Sequence, residues 1–137
     1  MARILALDIG TRRIGLAVSD ELGITAQGLP TLQRTNLRAD LDALSQLIQQ
    51  YSVHLVLAGN PLHMSGHDSP GTTRAVEFTA LLRARTGVEI RLWDERLTTR
   101  EASRVLRDSG ISIRKRAQAV DRLSAVILLK SYLDSLT

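Results

Sequence analysis

Asp8, the adjacent acids Asp94 and Glu95, and Asp121 are the side chains in this sequence best suited to do chemistry together. Asp8 closes an apolar run, Ile4-Leu5-Ala6-Leu7, and burying a carboxylate costs several kcal/mol unless something pairs with it. Asp94 and Glu95 follow a strand-like run at 88–93, and Asp121 heads a helical stripe of Ala125, Leu128 and Tyr132. Carboxylates gathered at one edge repel one another, and a hard divalent cation, Mg2+ or Mn2+, relieves the repulsion through oxygen ligands. Two such ions against three carboxylates leave roughly one positive charge to face a phosphodiester, and ions about 3.5–4 Å apart activate water and stabilise the leaving oxygen. The plainer alternative is that Arg12 or Arg13 neutralises Asp8.

The elements that must position these groups follow from the pattern of apolar residues. Two apolar runs flank the turn Gly10-Thr11-Arg12-Arg13, and unalternating runs of this kind suit a hairpin buried on both faces of a sheet. Residues 20–23 read as a second turn and residues 24–33 as a third, edge-like strand roughened by Gly28 and Pro30. Asn36 can cap a helix carrying Leu37, Leu41, Leu44, Ile48 and Tyr51. The run at 53–58 is then a buried strand, and a crossover of this length implies a parallel neighbour.

A loop at 59–68 follows; its His63 and His67 lack a third ligand nearby, which makes them a poor metal site. Ser69-Pro70 opens a helix with Ala75, Phe78, Leu81 and Leu82 inward, and Gly87 stops it before the strand at 88–93. Thr98-Thr99-Arg100-Glu101 is a capping box for a short helix holding Ala102, Val105 and Leu106, ended by Gly110. Residues 111–117, with Arg114-Lys115-Arg116, show no periodicity and read as a mobile basic loop before a last helix at 118–135. Ligands of such α/β sheets collect at the carboxyl ends of strands, where Asp8 and Asp94-Glu95 fall.

The 137 residues suffice for one domain with a real core, and 44% hydrophobic with 23% charged is ordinary for a soluble protein. There is no cysteine, hence no disulfide and no thiolate metal site. No apolar run approaches the roughly 20 residues of a membrane span, and the apolar N-terminal run is too short for a signal peptide, so a cytoplasmic protein without a membrane partner is expected. The net charge of +4 points to an anionic partner. Among 18 basic residues only Lys115 and Lys130 are lysines, which suits bidentate phosphate binding but equally fits a coding bias. With one Trp, one Phe and two Tyr, contacts to phosphate should outweigh base stacking.

Taken together, Asp8-Ile9-Gly10-Thr11-Arg12-Arg13-Ile14-Gly15, Gly59-Asn60-Pro61 with Gly66, Asp94-Glu95-Arg96-Leu97-Thr98-Thr99, and Asp121 with Ser124-Ala125 resemble the YqgF/RuvX family of the ribonuclease H-like superfamily. The resemblance runs the length of the chain. It departs from the family's usual pattern at Asn60, where a leucine is common, and at Ser124, where alanine is. It implies an α/β fold with a mixed five-stranded sheet of order 3-2-1-4-5 and helices on both faces, forming a single nuclease domain over residues 1–137. It also implies that Asp8, the acidic pair at 94–95 and Asp121 hold two Mg2+ or Mn2+ ions. Between the adjacent acids Glu95 is the expected ligand, because side chains alternate along a strand; Asp94 is left to cap the next turn or orient Arg96. Arg12, Arg96, Thr98, Arg114, Lys115 and Arg116 are the expected substrate contacts.

The activity implied is hydrolysis of a nucleic-acid phosphodiester, in 5′-end processing of precursor 16S rRNA, by a cytoplasmic monomer or homodimer. Two alternatives within nucleic-acid chemistry are a resolvase of Holliday junctions acting on branched DNA and a binding module without catalysis. Asp-Ile-Gly-Thr followed by Gly15 also opens sugar kinases and actin-like ATPases, but those need a second similar domain for which this chain has no room.

Overall fold

A computed structural model describes residues 3–60, 70–94 and 113–136, with backbone alone at 60, 70–73, 94 and 113–122. Strands β1 (Arg3–Ile9), β2 (Arg13–Ser19) and β3 (Ala26–Gln33) precede helix α1 (Leu37–Gln50). Strand β4 (Val53–Asn60), helix α2 (Pro70–Thr86), strand β5 (Glu89–Asp94) and helix α3 (Ile113–Ser135) follow. The five strands lie in the order β3-β2-β1-β4-β5. The first three are antiparallel to one another, whereas β4 runs parallel to β1 and β5 parallel to β4.

Strand β1 is central, and its unalternating apolar sequence reflects cover on both faces. Leu5 and Leu7 join Leu16, Val18, Val56 and Ile90 under Leu41, Leu44 and Ile48 of α1 and Phe78 and Leu82 of α2. Ile4 and Ala6 join Ala17, Leu55 and Leu57 under Ala125, Leu128, Leu129, Tyr132 and Leu133 of α3. Ala6 and Ala17 are paired across β1 and β2, so two small side chains line the face over which α3 lies. Each large apolar side chain buried here is worth about 1.5–3 kcal/mol.

The helix boundaries have local causes. The Asn36 side chain accepts a 2.9 Å hydrogen bond from the Ala39 amide and so caps α1. Gly87, at φ +73, ends α2 by donating its N–H to the Arg83 carbonyl at 2.8 Å. Among the described residues no helix is long and apolar enough to cross a membrane.

Several expectations need correction. Residues 114–116 are not a loop: they lie in the first turns of α3, which starts at Ile113. Arg, Lys, Ala and Gln are strong helix formers, and their propensity carries the helix through a stretch whose sequence shows no apolar period. Leu81 is exposed, because Ala75, Phe78, Thr79 and Leu82 form the inward stripe of α2 and Leu81 falls about 100° off it. Leu37 has the right phase but opens α1 and is exposed. Strand β3 begins at Ala26 instead of residue 24, since Asp20 draws the preceding backbone into a turn by accepting from the amides of Ile24 at 2.7 Å and Thr25 at 3.3 Å. The short helix expected after the capping box at 98–101, and His63 and His67, lie outside the described residues.

The Asp20 carboxyl is held below its ordinary range, chiefly by the Ile24 amide. Its folded value lies below the unfolded one, so the stability it contributes is present above the unfolded value and lost as pH falls through the folded value. Asp20→Ala should therefore melt below the wild type near neutral pH, and the gap should close on acidification. Melting curves across the carboxylate range check this; a gap independent of pH would remove the charge from the account of that turn.

Candidate active site at the carboxyl edge of the sheet

Asp8 is the penultimate residue of β1 and is half-buried. It shares the parity of Ile4 and Ala6, which pack under α3, so strand alternation turns it to the α3 face. Its partner across the hairpin is Gly15, which contributes no side chain beside it. Because β1, β4 and β5 are parallel, their carboxyl ends reach one edge of the sheet, where Asn60 is paired with Asp94.

The turn beyond Asp8 is tight. The Gly10 N–H donates to the Arg13 carbonyl at 2.9 Å, and a Cβ on Gly10 would stand 2.8 Å from that same oxygen. The turn exposes Arg12. Strand β5 is tied to α3 near the same edge. Arg91 donates to the Tyr132 hydroxyl at 3.0 Å, Trp93 makes a longer 3.4 Å contact to Ser131, and the Trp93 and Tyr132 rings meet edge to face. Arg91 and Trp93 thus face α3, while Ile90 packs under α1 and α2. The bond to Glu89, with Tyr132 adding to it, raises the Arg91 pKa and keeps it cationic.

Of the residues expected to do chemistry, Asp8 and Arg12 have described side chains. Asp94 ends β5, and Asp121, Arg114, Lys115 and Arg116 belong to α3, with Asp121 four residues before the fully buried Ala125; the side chains of these five are not described. Glu95, Arg96 and Thr98 lie outside the described residues. Among the described residues no group of three or more His, Cys, Asp or Glu comes together. Ser124, one turn after Asp121, is fully buried, and its hydroxyl finds no hydrogen-bond partner among the described residues.

Two residues not anticipated from the sequence meet behind the turn. Arg34 donates from Nη1 to the Gly10 carbonyl at 2.8 Å and from Nε to Asp40 at 3.0 Å. Asp40 is almost fully buried. A charge four residues before Leu44, within the first turn of an apolar stripe, was the readable signal for it.

The fold and sequence have clear relatives. The protein named "Putative pre-16S rRNA nuclease" of Koribacter versatilis is 57% identical over 132 residues, covering 96% of this chain and 86% of that one. Its namesake from Clostridium novyi is 41% identical, covering 98% and 99%. Thermus thermophilus RuvC in complex with a Holliday junction superposes with a TM-score of 0.62 at 11% identity, covering 98% of this chain and 95% of that one. The fowlpox virus resolvase with Holliday junction DNA gives 0.62 at 15%, covering 98% of each. These solved structures share the fold. The sequence model of the RuvX family, described as a Holliday junction resolvase, matches residues 2–135, and the chain belongs to that family.

Proposed function

We propose that this protein is a metal-dependent nuclease that hydrolyses phosphodiester bonds of precursor 16S rRNA, with residues 1–137 as one catalytic domain. The observation that carries the reading is the placement of Asp8, a half-buried carboxylate at the carboxyl end of the central strand, turned toward the helix that contains Asp121. Glu95 is the third carboxylate. It shares the parity of Arg91 and Trp93, both of which meet α3, whereas Asp94 has the parity of Ile90, which packs on the other face. Names of relatives 41–57% identical support the RNA substrate.

The donor set fits the proposed metal. Asp8, Glu95 and Asp121 offer carboxylate oxygens only and the chain has no cysteine, which selects Mg2+ or Mn2+ over softer ions. When bound, a pair of such ions supplies an activated water and charge neutralisation at the leaving oxygen. Asp8, Glu95 and Asp121 would hold them. Arg12 is exposed on the turn beyond Asp8, and in this reading its guanidinium binds a substrate phosphate. Arg96 and Thr98, with Arg114, Lys115 and Arg116 at the start of α3, extend the phosphate contacts along the strand being cut.

Precursor rRNA and a four-way DNA junction, each incubated with the purified protein and Mg2+, Mn2+ or EDTA, test this reading. Cleavage of the rRNA with either metal and none in EDTA is expected; undiminished cleavage after thorough chelation would overturn it. The junction arm tests a second reading, branched DNA as substrate, which the family's description favours. Preference for the junction would replace the RNA assignment while keeping the chemistry.

The choice between the adjacent acids has its own test. Glu95→Gln should lose most activity and regain part of it at high metal concentration, because the lost group is a ligand. Asp94→Asn should lose less, with a defect that added metal does not relieve. Metal titrations of the cleavage rate check this, and the reverse pattern would exchange the two roles.

A further inference from the structure

Arg34, the first residue after β3, touches the turn beyond Asp8 at two points. Its backbone N–H donates to the Arg12 carbonyl at 2.9 Å, and its guanidinium donates to the Gly10 carbonyl at 2.8 Å. The same guanidinium bonds Asp40 of α1 at 3.0 Å and lies over the Phe78 ring of α2, 5.1 Å from its centroid. Asp40 is held in turn: its other oxygen accepts from the Thr35 amide at 3.2 Å, and its side chain is only 3% exposed. One side chain therefore fastens the turn to two helices at once.

Stability alone does not account for this arrangement. A buried Arg–carboxylate pair is often matched or bettered by apolar residues of similar volume, and α1 already packs through Leu41, Leu44 and Ile48. What the pair supplies and apolar packing cannot is direction. The planar fork of a guanidinium reaches a carboxylate and a carbonyl in one fixed geometry, and the carbonyl here belongs to the residue two beyond Asp8. Gly10 is thus held through both backbone groups, its N–H by Arg13 and its C=O by Arg34.

We propose that Arg34, oriented by Asp40, is a positioning residue of the nuclease centre. It sets the height of the Gly10–Arg13 turn so that the Asp8 carboxylate and the Arg12 guanidinium meet metal and phosphate in fixed relation. The inference rests on the nuclease reading above.

Two variants separate positioning from scaffolding. Arg34→Lys keeps a cation beside Asp40 but cannot span both acceptors. The double variant Arg34→Met, Asp40→Leu removes both charges together and leaves neither buried and unpaired. Each is assayed with Mg2+ on the substrate the wild type cleaves, well below its melting temperature. Amide exchange across residues 10–13 is measured in the same samples without substrate, and Asp20→Ala serves as a destabilised control remote from the turn.

Misplacement of reacting groups by about 1 Å can cost on the order of 100-fold, so kcat should fall about 10- to 100-fold in both variants. KM should change less, and exchange in the turn should quicken. The control should keep wild-type kcat. An Arg34→Lys protein with wild-type kcat and wild-type exchange in the turn would overturn the proposal, as would a double variant that melts like the wild type and cuts as fast. A wild type inert on both rRNA and junction with either metal would defeat the nuclease reading itself, a failure distinguishable from that of the positioning role.

Discussion

The structure turns on one costly placement, a carboxylate at the end of a strand buried on both faces. Strand β1 is flanked by β2 and β4 and roofed by helices above and below, so Asp8 has little access to bulk water except past the sheet edge. A charge there requires compensation from groups at that edge, because desolvation in a packed interior costs more than distant counterions return. In the proposed reading, a divalent cation shared with other carboxylates would meet that requirement and supply the chemistry at the same point. The parallel run of β1, β4 and β5 makes the sharing possible by carrying their carboxyl ends to one side.

The rest of the fold packs the two faces of the sheet with different side chains. Ala6 and Ala17, paired on the face below α3, keep side-chain bulk low where the helix crosses, and Ala125 answers them from above. Ser124 beside it is buried, with its hydroxyl unpartnered among the described residues. On the opposite face, the large side chains Leu44, Phe78 and Leu82 fill the layer beneath α1 and α2.

Much of this is legible in the sequence, because the strongest signals are those of burial. The unalternating run at 4–7 announced a doubly covered strand, Asn36 announced a helix start, and the spacing of Ala125, Leu128 and Tyr132 announced the face of the last helix. What stayed hidden depends on contacts between distant residues or on polar surface. Nothing local links Arg34 to Gly10, 24 positions earlier. The basic start of α3 shows no apolar period in the sequence, which reads there as a loop although Arg114, Lys115 and Arg116 are helix formers. Leu81 is the converse case: an apolar residue near the right phase is exposed, while Thr79 occupies the inward position, its hydroxyl satisfied by the Val76 carbonyl at 3.0 Å.

The central claim is that Asp8 is a metal ligand at the carboxyl edge of the sheet, and anomalous scattering from crystals grown with Mn2+ tests it most directly. The account predicts a manganese peak within direct coordination distance of an Asp8 carboxylate oxygen, on the α3 side of β1, absent from crystals of Asp8→Asn grown in the same way. Manganese found only at other carboxylates, or a peak that persists unchanged in Asp8→Asn, would contradict it and leave Asp8 as the ion-pair partner of a neighbouring arginine.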